Sequence, residues 1–161
     1  LIKYTKVLFI GNSFTKHDFV SGLWESNGRS MAASTDSVMY ASLVAEKLGL
    51  QADRANLRDD VGYFERLLLD YDLNYLPNKS ESYDAIVVQL GENIIETDTN
   101  IVATAFRNLF VAIKANWSNA DLYMMFGTWR SQSQAISNVA TEMNIPIINC
   151  GSVSLATPYQ A

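Results

Sequence analysis

The chain is poor in the residues that build covalent or metal-held scaffolds. It contains one cysteine, Cys150, and one histidine, His17. A lone cysteine excludes an internal disulfide, and one Cys with one His cannot furnish the four ligands of a structural zinc site, so no metal or cofactor is expected. Cys150 closes an apolar strand and is expected as a small buried residue. Long apolar runs are also missing. Runs such as Val7–Ile10 and Ala85–Val88 are strand-sized, far short of the roughly 20 residues a membrane helix needs. Positive charge is scarce and scattered: 12 basic residues stand against 17 acidic ones, for a net charge of -5. That balance excludes the basic patch of a nucleic-acid binder and disfavours anionic membranes. No signal peptide is expected at the start, which opens on Leu1 as a processed form or a piece of a longer protein does.

What is present is a chain able to bury a sizeable core. Hydrophobic residues make up 48% of it and charged residues 18%, below the usual quarter. No repeat, linker or low-complexity segment interrupts it, so residues 1–161 are read as a single domain. Apolar runs alternate with helical stripes. Val7–Ile10, Gln51–Leu57, Tyr83–Leu90, Leu122–Phe126 and Ile145–Asn149 read as strands. Between them, Tyr40, Leu43, Val44 and Leu48 form one stripe, with Thr35, Asp36 or Ser37 as its cap and Gly49 as its stop. Further stripes run through Phe64, Leu67, Leu68, Tyr71 and Tyr75, through Ile101, Ala105, Phe106, Leu109, Phe110 and Ile113, and through Ala135, Ile136, Val139, Ala140 and Met143. Apolar strands alternating with helices predict a parallel sheet buried on both faces. The expected architecture is an α/β, three-layer α/β/α sandwich around a flavodoxin-like five-stranded sheet of order 2-1-3-4-5. Ligand chemistry in such folds sits at the C-terminal ends of the strands, which selects the loops after Ile10, Leu57, Leu90 and Phe126.

The first of these loops reads Gly11-Asn12-Ser13-Phe14-Thr15. A serine just past a buried strand, at a helix start whose N–H groups favour negative charge, suits a nucleophile; it equally suits an N-cap. The third loop, Gly91-Glu92-Asn93, offers an amide that could donate to an oxyanion, or an ordinary turn residue. In the second loop Gly62, read as opening a helix, could offer its backbone N–H.

Together the three loops resemble the SGNH (GDSL-like) hydrolase family. That family carries Gly-Asp-Ser or Gly-Asn-Ser after a buried strand, a glycine N–H in its second block, and Gly-x-Asn in its third. Here these correspond to Gly11-Asn12-Ser13, Gly62 and Gly91-Glu92-Asn93, and Gly28–Ser34 looks like an insertion of one bacterial subgroup. The resemblance implies a serine esterase or deacetylase acting on small O-acyl esters, with carbohydrate esters as a candidate substrate. Ser13 would attack, and the Ser13 N–H, Gly62 N–H and Asn93 side chain would hold the oxyanion.

The family's remaining element is an Asp-x-x-His block that supplies the general base. No Asp or His follows Asn149. Three explanations stand open: the block follows beyond Ala161, the protein is a non-catalytic, ligand-binding relative, or another residue serves as base. His17, one helical turn past Ser13, is the internal candidate and is equally read as a pocket-lining or surface residue. Glu92 is a further acid near the site, a substrate contact or a surface charge. Trp129, after the fourth strand, and Trp24 could stack on a sugar or stand as ordinary rim aromatics. A phosphate or nucleotide binder using the helix start at Ser13–Thr15 lacks any glycine-rich fingerprint.

Overall fold

The computed structural model describes residues 4–12, 15–16, 35–59, 62–68, 79–126 and 133–150. In chain order the elements are β1 (Lys6–Gly11), α1 (Tyr40–Leu48), β2 (Gln51–Asn56), β3 (Arg58–Asp59), β4 (Gly62–Tyr63), α2 (Phe64–Leu67), β5 (Ala85–Gln89), α3 (Thr99–Asn116), β6 (Asp121–Phe126), α4 (Ser133–Glu142) and β7 (Ile147–Asn149). Five strands form one parallel sheet in the order β2-β1-β5-β6-β7. Counted along the chain, that is the expected 2-1-3-4-5 arrangement.

Alternation along the strands divides the core into two layers. Leu8, Ile10, Ile86, Val88, Leu122 and Met124 face α3 and α4. Val7, Phe9, Ala85 and Val87 face Ala41 of α1. The first layer is closed tightly. Phe106 is fully buried, and its ring meets Phe64 and Phe110 edge to face at centroid distances of 5.4 and 6.0 Å. Phe64 opens α2, so this aromatic row ties α2 to α3. Asp98 caps α3, its carboxylate accepting from the Asn100 N–H at 2.8 Å.

The opposite layer is only partly covered. Leu43, Val44 and Leu48 of α1 are 46%, 37% and 64% exposed, against the expectation that this stripe packs inward; Ala41 is the buried residue of the helix. Between α1 and the sheet lies an apolar trough of about 660 Å³, lined by residues including Phe9, Tyr40, Val87, Tyr123, Met125 and Ile148. Gln89, Glu92 and Cys150 also border it. Cys150 is half-buried rather than fully buried.

Other departures are local. Met39, not Thr35, Asp36 or Ser37, precedes α1, with no side-chain cap, while the Thr35 and Ser37 hydroxyls bond each other at 2.9 Å. Gly49, at φ 63°, ends α1 as expected. The β3–β4 hairpin was not foreseen: Gly62 pairs with Asp59 inside it, and the helix starts at Phe64 instead. Tyr71 and Tyr75 lie outside the described residues. At the N-terminal edge of the sheet, the exposed Asp84 carboxylate accepts from the Thr5 N–H, the Thr5 hydroxyl and the Lys6 N–H at 2.7, 2.6 and 2.9 Å. Those donors hold its carboxyl below the usual range.

The aromatic row generates a stability prediction. Phe106→Ala removes a ring buried between two others and should cost about 3–5 kcal/mol. Urea denaturation with an unchanged m-value checks it.

Candidate functional site

The C-terminal edge of the sheet carries an almost wholly buried polar cluster. It begins where β1 ends. Gly11 stands level with Gln89 of β5 and Asn56 of β2. A Cβ at Gly11 would lie 2.8 Å from the Gln89 carbonyl oxygen and inside the Thr15 side chain, so glycine is what lets the loop fold back against β5. The chain then turns at once: the Asn12 carbonyl accepts from the N–H groups of Thr15 and Lys16 at 2.9 and 3.0 Å.

Asn12 is 1% exposed and works through its side chain rather than through an unusual backbone angle. Its Nδ2 donates to Glu65 Oε2 at 3.1 Å and to Glu92 Oε2 at 2.8 Å. Both partners are carboxylates, which fixes the orientation of the amide. Glu65, in the first turn of α2, is likewise 1% exposed. Its Oε1 accepts from the Gly91 N–H and, at 3.3 Å, from the Asn93 N–H. Its Oε2 also accepts from Asn93 Nδ2 at 2.8 Å. Gly91 makes this approach at φ 131°, in the region that favours glycine.

The cluster continues toward α1. Glu92 Oε1 accepts from Gln89 Nε2 at 2.7 Å, and Gln89 Oε1 accepts from the Thr15 hydroxyl at 3.0 Å. The Thr15 proton is thereby used, so in the 2.8 Å contact between Thr15 and Tyr40 the phenol donates. Burial, the largest cause, pushes the Tyr40 phenol well above its ordinary range, which keeps that donor protonated. Burial and then the neighbouring Glu65 carboxylate push the Glu92 carboxyl up; the Asn12 and Gln89 amides pull it partly back. At the edge of the cluster Asn56 donates through Nδ2 to the Lys16 carbonyl at 2.8 Å, while its buried Oδ1 has no partner among the described residues.

Of the residues singled out from sequence, Asn93 and Glu92 fall in this cluster, and Gly62 lies in β4, two residues before the α2 helix that carries Glu65. Glu92 is 8% exposed and not a surface charge. Ser13, His17, Trp24 and Trp129 lie outside the described residues, although Asn12 and Thr15, on either side of the Ser13-Phe14 pair, are both in the cluster. Sequence reasoning missed Glu65, Gln89, Thr15 and Tyr40 as members. Gln89 carried a signal, a polar residue ending the otherwise apolar run Ala85–Val88. Glu65 carried none. Among the described residues no group of three or more His, Cys, Asp or Glu side chains is arranged to hold a metal ion. No described helix is long and apolar enough to cross a membrane.

No family model and no curated protein matches the chain. Solved structures do match. A family two carbohydrate esterase from Clostridium thermocellum, in complex with cellohexaose, superposes with a TM-score of 0.63 and 19% identity, over 90% of this chain and 53% of that one. An acetyl xylan esterase from the rumen bacterium Butyrivibrio proteoclasticus does so at 0.58 and 15%, over 92% and 56%. A protein from Lactobacillus plantarum does so at 0.60 and 13%, over 100% and 85%. The chain thus spans about half the length of the two esterases. At these identities the likeness is one of fold.

The raised Glu92 carboxyl makes a pH prediction. Its proton is held more tightly folded than unfolded, so its contribution is fully present below the ordinary glutamic acid value of 4.5 and is lost as pH rises through the higher folded value. Glu92→Gln removes that dependence. In urea melts from about pH 4 to about pH 8 the wild type should lose stability relative to Glu92→Gln as pH rises. A constant difference between the two proteins would mean that Glu92 titrates normally.

Proposed function

We propose that the protein is a serine ester hydrolase of the SGNH type that removes small O-acyl groups from carbohydrates. The observation that carries the reading is the joining of two strand-end loops. The turn after β1, with the Gly11-Asn12-Ser13 motif, and the turn after β5, with Gly91-Glu92-Asn93, are bonded through the Glu65 carboxylate. These turns flank each other at the C-terminal ends of the neighbouring strands β1 and β5, where the order of strands reverses and such folds bind their ligands. The fold shared with family two carbohydrate esterases supports the substrate class.

In the proposed reaction Ser13 Oγ loses its proton to a general base and attacks the acyl carbonyl. Negative charge gathers on the carbonyl oxygen, held by the Ser13 N–H, the Gly62 N–H and the Asn93 side-chain amide. A preorganised donor of this kind is worth about 3–4 kcal/mol of barrier. The alcohol leaves with the proton, and water then releases the acyl group from Ser13. The base is proposed to be the histidine of an Asp-x-x-His block beyond Ala161, with the aspartate orienting it. Trp129 and Glu92 are proposed to border the pocket, with His17 as pocket-lining. The reading needs no cofactor.

A second reading is a non-catalytic module that binds a glycan or other ligand in the same place.

Covalent labelling separates the two. On the protein with its natural C-terminus, a fluorophosphonate should give one adduct by intact-mass spectrometry. Ser13→Ala should abolish both adduct and ester hydrolysis while leaving the melting temperature nearly unchanged. No adduct would overturn the acyl-enzyme and leave the binding module. A Ser13→Ala protein that fails to fold would mean that the serine is a structural cap.

A further inference from the structure

We infer that Glu65 is the positioning residue of this site, the group that fixes the Asn93 amide and the β1 turn in their working geometry. The inference rests on the esterase reading above and adds a residue that the resemblance does not supply.

Four donors converge on this one carboxylate: the Gly91 N–H, the Asn93 N–H, Asn93 Nδ2 and Asn12 Nδ2. Two of them are backbone groups of the β5 turn, one is the proposed oxyanion donor, and one belongs to the residue before Ser13. Only a group that accepts on both oxygens can take all four. A glutamine in its place would turn an NH2 toward donors on one side or the other. The consequence for Asn93 is specific. Its Nδ2 carries two protons, and the bond to Glu65 Oε2 takes one. The amide is thereby held in one plane with its nitrogen, rather than its oxygen, toward the carboxylate, and the second N–H has a fixed direction. An oxyanion donor is effective when its direction is set before the charge develops. Glu65 itself is set by the core: Phe64, beside it, is buried against Phe106.

The test compares wild type, Glu65→Gln, Asn93→Ala and the double variant in hydrolysis of p-nitrophenyl acetate by the protein with its natural C-terminus, with Ser13→Ala as control. Glu65→Gln should lower kcat about 100-fold with KM changed less than about two-fold. The double variant should be no slower than the slower single one, because both changes disable one donor. A folded Glu65→Gln with wild-type kcat, or losses that multiply in the double variant, would overturn the inference; with Ser13→Ala inactive, the esterase reading would survive. Hydrolysis that Ser13→Ala retains, or no hydrolysis at all, would overturn that reading and this inference with it. Side-chain amide NMR gives a measurement independent of turnover. In wild type one Asn93 Nδ2 proton should be shifted downfield and exchange at least about ten-fold slower than an exposed asparagine amide, and Glu65→Gln should abolish both effects. Should Glu65→Gln not fold, the wild-type spectrum decides: Asn93 amide protons exchanging at exposed rates would overturn the inference.

Discussion

The C-terminal edge of this fold depends on keeping one carboxylate inside the protein. Removing an ionised carboxyl from water costs several kcal/mol, and the cost is offset only where its lone pairs are filled by well-placed donors. Glu65 meets that condition with four donors drawn from two loops. The dependence runs both ways. The loops after β1 and β5 are held because Glu65 is there, and Glu65 is there because Phe64 is packed in the aromatic row with Phe106 and Phe110. Disturbing the core under α2 would therefore reach the edge, and loosening either loop would leave a buried charge short of partners.

A second buried carboxyl lies one amide away. Asn12 Nδ2 bridges Glu65 and Glu92, so two carboxyl groups share a neutral donor. The cluster also has a direction. From Asn93 and Glu65 it passes through Asn12, Glu92, Gln89 and Thr15 to Tyr40. Phe64, beside Glu65, belongs to the layer under α3 and α4, whereas Tyr40 packs with the α1 layer. The hydrogen bonds thus cross over the top of the sheet and join its two faces at the point where strand pairing ends.

Much of this fold is legible in the sequence. Apolar runs that end in glycine gave the strands at Val7–Ile10 and Ala85–Val88, and the helical stripe of Phe106, Leu109, Phe110 and Ile113 gave α3 with its buried face. The motif residues Asn12, Glu92 and Asn93 meet in one cluster at the strand ends, although the burial of Glu92 was not expected from the sequence. What was not legible has physical reasons. Periodicity says which residues of a helix share a face but not whether anything covers that face, and so the α1 stripe of Leu43, Val44 and Leu48 was misjudged. Strands of two residues, as in β3 and β4, are too short for a pattern to form. Glu65 looked like any solvent-facing acid beside an apolar stripe. Its burial follows from loops distant in sequence, with Asn12 and Asn93 far from it along the chain, and no local pattern encodes that convergence.

The placement of polar groups follows from the same geometry. A parallel sheet leaves polar side chains room at the strand ends, where backbone pairing stops and the loops must satisfy their own N–H and C=O groups. At the N-terminal edge this is done by the exposed Asp84, with solvent sharing the work. At the C-terminal edge it is done mostly away from solvent: Asn12, Thr15, Glu65, Gln89 and Glu92 are 1–8% exposed, and Asn93 and Tyr40 are half-buried. A dry network is the more demanding solution, because each unmade bond carries its full desolvation cost. It is also the stiffer one. Stiffness at this edge is what the proposed chemistry requires, since an amide that must still reorient as charge develops gives back part of the stabilisation that a fixed one supplies. The two carboxylates, unfavourable as isolated groups, are therefore consistent with an edge built to hold donors still.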